Sequence, residues 1–119
     1  MITKTYSIAV VVKNKDEAKK WYVEKLGFRV VDDDGHWVTV APKSARSRDV
    51  LIHLCESYDE NAEEPGGNTG IAFMTDSVEE SFKELKAKGV EFSKEPSDEG
   101  FGKYAIFKDL YGNEFWLFE

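Results

Sequence analysis

The spacing of apolar positions along this chain changes in an order that occurs twice. Residues 6–12 are rich in β-branched side chains and predict a buried strand. Asn14 then stands as an N-cap for a helix over 15–26, with Asp16 and Glu17 near its positive end. Ala18, Trp21, Tyr22 and Lys25 or Leu26 recur at helical spacing, so this stripe packs on a sheet. Gly27 is placed to end the helix in a left-handed conformation. Strands follow over 28–32, 37–41 and 50–55, with Asp33-Asp34-Gly35 as a turn and a basic loop (Lys43, Arg46, Arg48) over 42–49.

The same succession then returns. A strand over 70–75 leads to a cap at Asp76 or Ser77 and a helix to Lys88, whose inner stripe is Val78, Ser81, Phe82 and Leu85. Gly89 stops it, 90–93 is a strand and 95–103 a loop, and strands over 104–108 and 114–119 are joined by a turn at 109–113. Ile8-Ala9 and Ile71-Ala72 lie 63 positions apart, as do Ile52-His53-Leu54 and Phe115-Trp116-Leu117. Gly27 and Gly89 lie 62 apart, one residue being lost in the second helix region. Two matched halves predict two copies of one β-α-β-β-β unit sharing a core. The expected organisation is a single domain, 1–119, with module one over 1–56, a polar Gly-rich linker over 57–69 and module two over 70–119. One helix per strand-rich module predicts an α+β fold, helices covering one sheet face and leaving the other free.

Composition narrows the partners. A net charge of -7 argues against a polyanion, because nucleic-acid affinity rests on Lys and Arg neutralising phosphates. The single Cys, Cys55, excludes an internal disulfide framework and suits a reducing, cytoplasmic location. The first apolar run is too short for a signal segment or a membrane span, so no membrane partner is expected.

Three separated segments, in order, carry a resemblance: the first strand with N-K-D-E-A-K-K-W-Y and L-G-F, then D-S-V-E-E-S-F-K-E-L-K-A-K-G-V, then F-K-D-L-Y-G-N-E-F-W-L. The chain resembles the vicinal oxygen chelate superfamily of glyoxalase I, extradiol dioxygenases and the fosfomycin and bleomycin resistance proteins. The resemblance implies a curved, mostly antiparallel eight-stranded sheet around a cup, with the helices on the outer face. It also implies a homodimer. Metal ligands in such enzymes fall at positions that are here Ser7, His53, Gly70 and Trp116. Gly70 has no side-chain donor, the Trp116 indole only donates, and a neutral Ser7 is a poor ligand, which leaves His53. No cofactor is therefore expected. The alternative is a divalent metal held by His53 and Glu114 in a glyoxalase-like lyase or an extradiol dioxygenase, an oxidoreductase.

His53 has two readings, a hydrogen-bonded wall residue or a general base titrating near neutral pH. Alternation puts it on one face with Leu51 and Cys55; Cys55 has no visible activating group. Trp37, Tyr104, Trp116 and Phe118 fall on predicted strands and Phe101 in the loop before the seventh. Trp116, Glu114 and Phe118 are expected to face the cup, with Phe115 and Leu117 under the helices. Trp116 is then either a pocket wall or a filler that closes the cup. The segment 97–102, with two Gly flanking Phe101, reads as a lid or a plain mobile loop, and opens no helix that would hold phosphate. The leading expectation is a metal-independent protein that binds a flat or apolar small molecule. A non-catalytic dimerising module with a filled cup is the remaining reading.

Overall fold

The structure, a computed structural model, describes residues 1–46, 49–56 and 64–119. These residues form two compact units, Met1–Pro65 and Gly66–Glu119. The first contains β1 (Ser7–Val12), α1 (Lys15–Leu26), β2 (Phe28–Asp33), β3 (Val38–Pro42) and β4 (Leu51–Glu56). The second contains β5 (Gly67–Met74), α2 (Val78–Ala87), β6 (Glu91–Asp98), β7 (Lys103–Lys108) and β8 (Asn113–Phe118). The fold is the α+β class expected: eight strands among the described residues, in two four-stranded mixed sheets ordered β1-β4-β3-β2 and β5-β8-β7-β6. Each unit is a βαβββ module. Its first and last strands pair in parallel and its other neighbours antiparallel.

The sequence repeat persists in the hydrogen-bond register. Ala9 pairs with His53 and Val10 with Leu54 in the first sheet. Ala72 pairs with Trp116 and Phe73 with Leu117 in the second. The helix starts match as closely. The Asn14 side chain accepts from the Glu17 N–H at 2.8 Å, and Ser77 Oγ accepts from the Glu80 N–H at 3.1 Å, each satisfying a donor the helix leaves orphaned. A second orphan is met from the end of the module. The Lys15 N–H donates to Glu56 Oε1 at 2.8 Å and the Val78 N–H to Glu119 Oε1 at 3.1 Å. Gly27 caps α1 with a φ of 70°, a left-handed conformation that favours glycine.

Register sorts each core. Phe28, Val40, Ile52 and Val10 share the face toward α1, where buried Ala18 and Tyr22 meet them and the Tyr22 ring lies 6.0 Å from Phe28. In the second unit, Phe82 of α2 packs edge-on to Phe92 at 4.8 Å, above Phe107, Phe115 and Phe73. Fully burying a side chain of this size contributes about 1.5–3 kcal/mol, so these faces hold the helices in place.

Several boundaries differ from expectation. β1 is buried only toward its end, at Val10 and Val12, and Ile8 is exposed, because β1 is an edge strand. Trp37 precedes β3 rather than lying in it. β5 starts at Gly67, inside the expected linker, since Gly67 and Asn68 pair with Asn113 and Glu114. The rest of that linker, 57–63, lies outside the described residues, as do Ser47 and Arg48 of the basic loop. The expected 95–103 loop is mostly strand: β6 continues to Asp98 and β7 begins at Lys103. Pro96 hid this. It lies on an edge strand, within the register irregularity between Lys94 and Ser97, where its missing N–H is tolerated but alternation is broken.

Candidate functional site

The face of the first sheet turned away from α1 holds a row of rings. Ala9, His53 and Thr39 are neighbours across β1, β4 and β3. His53 is buried and its imidazole stacks on Trp37 at 3.6 Å, 23° from parallel. Trp37 in turn stacks with Tyr6 at 6.4 Å. A tight turn places Trp37: Asp34 Oδ1 accepts the N–H groups of His36 and Trp37 at 2.9 and 2.6 Å. Burial alone lowers the His53 pKa, which favours neutral imidazole, and among the described residues the ring has no hydrogen-bond partner. His53 is therefore held against Trp37 by stacking, without a hydrogen bond from the described residues. Cys55 Sγ donates to the Glu56 carbonyl at 3.6 Å.

Sequence reasoning missed Asp32 beside this row. The Tyr6 hydroxyl donates to Asp32 Oδ2 at 2.6 Å and Thr39 Oγ1 donates to the same oxygen at 2.7 Å. The Asp32 N–H closes the ring by donating to Thr39 Oγ1 at 3.0 Å. These donors, Tyr6 first, hold the Asp32 carboxyl below the usual carboxylate range, and the carboxylate raises the Tyr6 phenol in return. The run Asp32-Asp33-Asp34 reads locally as a turn. Only the pairing of Asp32 with Thr39 after a bulge gives it another role.

The corresponding face of the second sheet gathers four of the expected residues. Register puts Tyr104 beside Phe118 and Ile106 beside Trp116. The Tyr104 ring stands 5.5 Å from Phe101, 5.6 Å from Trp116 and 5.7 Å from Phe118, and Trp116 and Phe118 are 5.7 Å apart. Phe101 reaches them from a four-residue hairpin tip, where the Gly100 N–H donates to Asp98 Oδ1 at 3.1 Å. Glu114 shares this face opposite Lys108 and takes no part in the ring cluster. Sequence reasoning also missed Lys94, whose Nζ lies 5.3 Å over the Tyr104 ring and 3.1 Å from Glu99 Oε1. Among the described residues the buried Trp116 Nε1 has no hydrogen-bond partner. A buried donor left unpaired costs about 1–3 kcal/mol.

The positions implied for metal ligands do not suit a divalent ion. Ser7 offers a neutral hydroxyl, Gly70 sits in the β5 irregularity without a side chain, and Trp116 can only donate. His53 and Glu114, the alternative pair, supply two donors, fewer than the three protein ligands of an open catalytic site. Among the described residues no three His, Cys, Asp or Glu side chains form a metal-holding group. Nor is any described helix long and apolar enough to cross a membrane.

Comparison with known proteins extends these observations. The YetH protein of Bacillus subtilis is 32% identical over 124 residues, spanning 100% of both chains. A crystal structure from Sphaerobacter thermophilus DSM 20745, of a glyoxalase/bleomycin resistance protein/dioxygenase superfamily member, shares 34% identity. It matches with a TM-score of 0.88 over 99% of this chain and 98% of that one. TnmS3, an antibiotic binding protein from Streptomyces sp. CB03234, matches with a TM-score of 0.82 and 29% identity over 98% of this chain and 95% of that one. The family profile itself spans residues 6–117 and so takes in both repeats: the chain belongs to the Glyoxalase/Bleomycin resistance protein/Dioxygenase superfamily.

Proposed function

We propose that this protein binds a flat, largely apolar small molecule on the ring-bearing faces of its sheets, and that it does so without a metal. The observation that carries this reading is the cluster of Tyr104, Trp116, Phe118 and Phe101 with an unpaired indole N–H inside it. Rings in this arrangement offer stacking partners to a planar ligand, and aromatic pairs contribute about 0.5–1.5 kcal/mol beyond their area. Where the rings part around a ligand, the buried indole N–H becomes a donor for an acceptor on the ligand's edge, which pairs a group otherwise left unsatisfied. Likeness to an antibiotic binding protein along nearly the whole chain supports the ligand class. The donor chemistry at Ser7, His53, Gly70 and Trp116 supports metal independence. A homodimer remains part of the reading, and a monomer by sedimentation would remove it.

The test titrates EDTA-stripped protein with planar aromatic antibiotics, read by tryptophan fluorescence and thermal shift, alongside Ni, Zn, Fe(II), Mn and Mg. A ligand at about 100 times its Kd adds roughly 2.7 kcal/mol, several degrees for a domain of this size. We expect such a rise with an aromatic compound and none with the metals. Trp116→Ala should weaken binding about tenfold or more, a loss of about 1.4 kcal/mol. A rise with one metal would overturn metal independence. If no compound quenches or stabilises, the rings serve packing alone and the dimerising-module reading takes over.

A further inference from the structure

The two modules carry opposite charges at matching places. Asp32 pairs across β2 and β3 with Thr39, and Thr39 pairs with His53. Lys94 pairs across β6 and β7 with Ile106, and Ile106 pairs with Trp116. A carboxylate therefore stands beside the first row of rings and an ammonium beside the second. The ammonium is already neutralised by Glu99 at 3.1 Å. The carboxylate is not. Asp32 Oδ2 takes two neutral hydroxyl donors, and among the described residues Asp32 has no cationic partner. Its neighbours in the acidic run are otherwise engaged: Asp33 by Lys19 at 2.6 Å, and Asp34 by the turn before Trp37.

This leaves an ionised carboxylate at the edge of two half-exposed rings, Tyr6 at 45% and Trp37 at 37%. We propose that the face formed by Tyr6, Trp37, His53 and Asp32 binds a planar organic cation, such as a protonated amino-aromatic or amidinium. Ring faces attract a cation through their quadrupole, and a planar one also stacks. The second carboxylate oxygen, Oδ1, which bonds no described residue, can accept from the cation's N–H in a charge-assisted bond. Neutral His53 suits the same occupant, because a second positive charge under Trp37 would repel it. The inference rests on the reading that these rings hold a ligand and adds the ligand's charge.

Calorimetry with proflavine, a planar cation, and acridone, an uncharged tricycle of similar shape, tests it. The wild-type protein should bind proflavine about tenfold more tightly than acridone at low salt. That preference should shrink as salt rises from about 0.05 to about 0.5 M, since a charge pair formed on a face open to solvent is screened by salt. Asp32→Asn keeps an acceptor for both hydroxyls and should bring the two affinities within about twofold. Should Asp32→Asn fail to fold, the salt series on the wild-type protein decides. Equal, salt-independent affinity for both compounds would overturn the cation inference and leave the flat-ligand reading standing. If neither compound binds, both readings fall for this face.

Discussion

The two modules share a backbone plan and differ in almost everything that fills it. Both pair their first and last strands in parallel, at the same register from Ala9 and Ala72 onward, both cap the helix with a short polar side chain, and both tie the helix start to a Glu at or just past the end of the last strand. These shared features satisfy main-chain donors, which every copy must do. The sides diverge because packing can be solved in more than one way. Module one builds its core on Val10, Val40, Ile52 and Leu54, whereas module two uses Phe73, Phe92, Phe107 and Phe115. On the opposite faces, Trp37 stacks on His53 in one copy and Tyr104 stacks on Trp116 in the other. Duplication thus supplied one scaffold with two chemically distinct surfaces.

Substitution at matched positions sharpens this contrast. The largest effect is expected in the cores, where Phe115 corresponds to Ile52. Phe115→Ala should cost about 3–5 kcal/mol, because it opens a cavity between Phe73 and Phe107, while Ile52→Val should cost about 0.5–1.5 kcal/mol. Urea denaturation measures both, and a Phe115→Ala loss no greater than that of Ile52→Val would break the picture of an aromatic core packed around that ring. Next come the caps. Asn14→Ala and Ser77→Ala should each cost about 1 kcal/mol, and a cap whose removal costs nothing would show that its hydrogen bond is not held in solution.

The smallest effect concerns the helix anchor in module one. The Lys15 N–H, then its ammonium, hold the Glu56 carboxyl below the usual range. A depressed folded pKa contributes stability that is present above the unfolded value of about 4.3 and lost as pH falls through the folded one. Glu56→Gln should therefore flatten the acid limb of a Tm-against-pH curve below about pH 5. Parallel curves for the two proteins would mean that the anchor acts without its charge.

Much of the scaffold was legible in the chain because its cues are local or internally repeated. The first helix runs over Lys15–Leu26 as the cap, stripe and terminal Gly foretold, and the 63-residue repeat became a register. The site was legible only in part. Alternation along β8 put Trp116 and Phe118 on one face and Phe115 on the other, as read from sequence. Lys94 stayed hidden because its partner ring is Tyr104 on another strand, past an irregular register.

What the sequence determined by itself was the order and type of elements, the duplication and the faces of the strands. Period, caps and glycines act over a few residues, and the repeat shows itself when the chain is compared with itself. Tertiary structure alone decided that β5 begins at Gly67, that β6 runs past Pro96, and that His53 rests under Trp37. It also joined Tyr6, Asp32 and Thr39 into one network. Each of these depends on a cross-strand partner remote in the chain, and no short-range pattern encodes which residue a bulged strand will bring opposite.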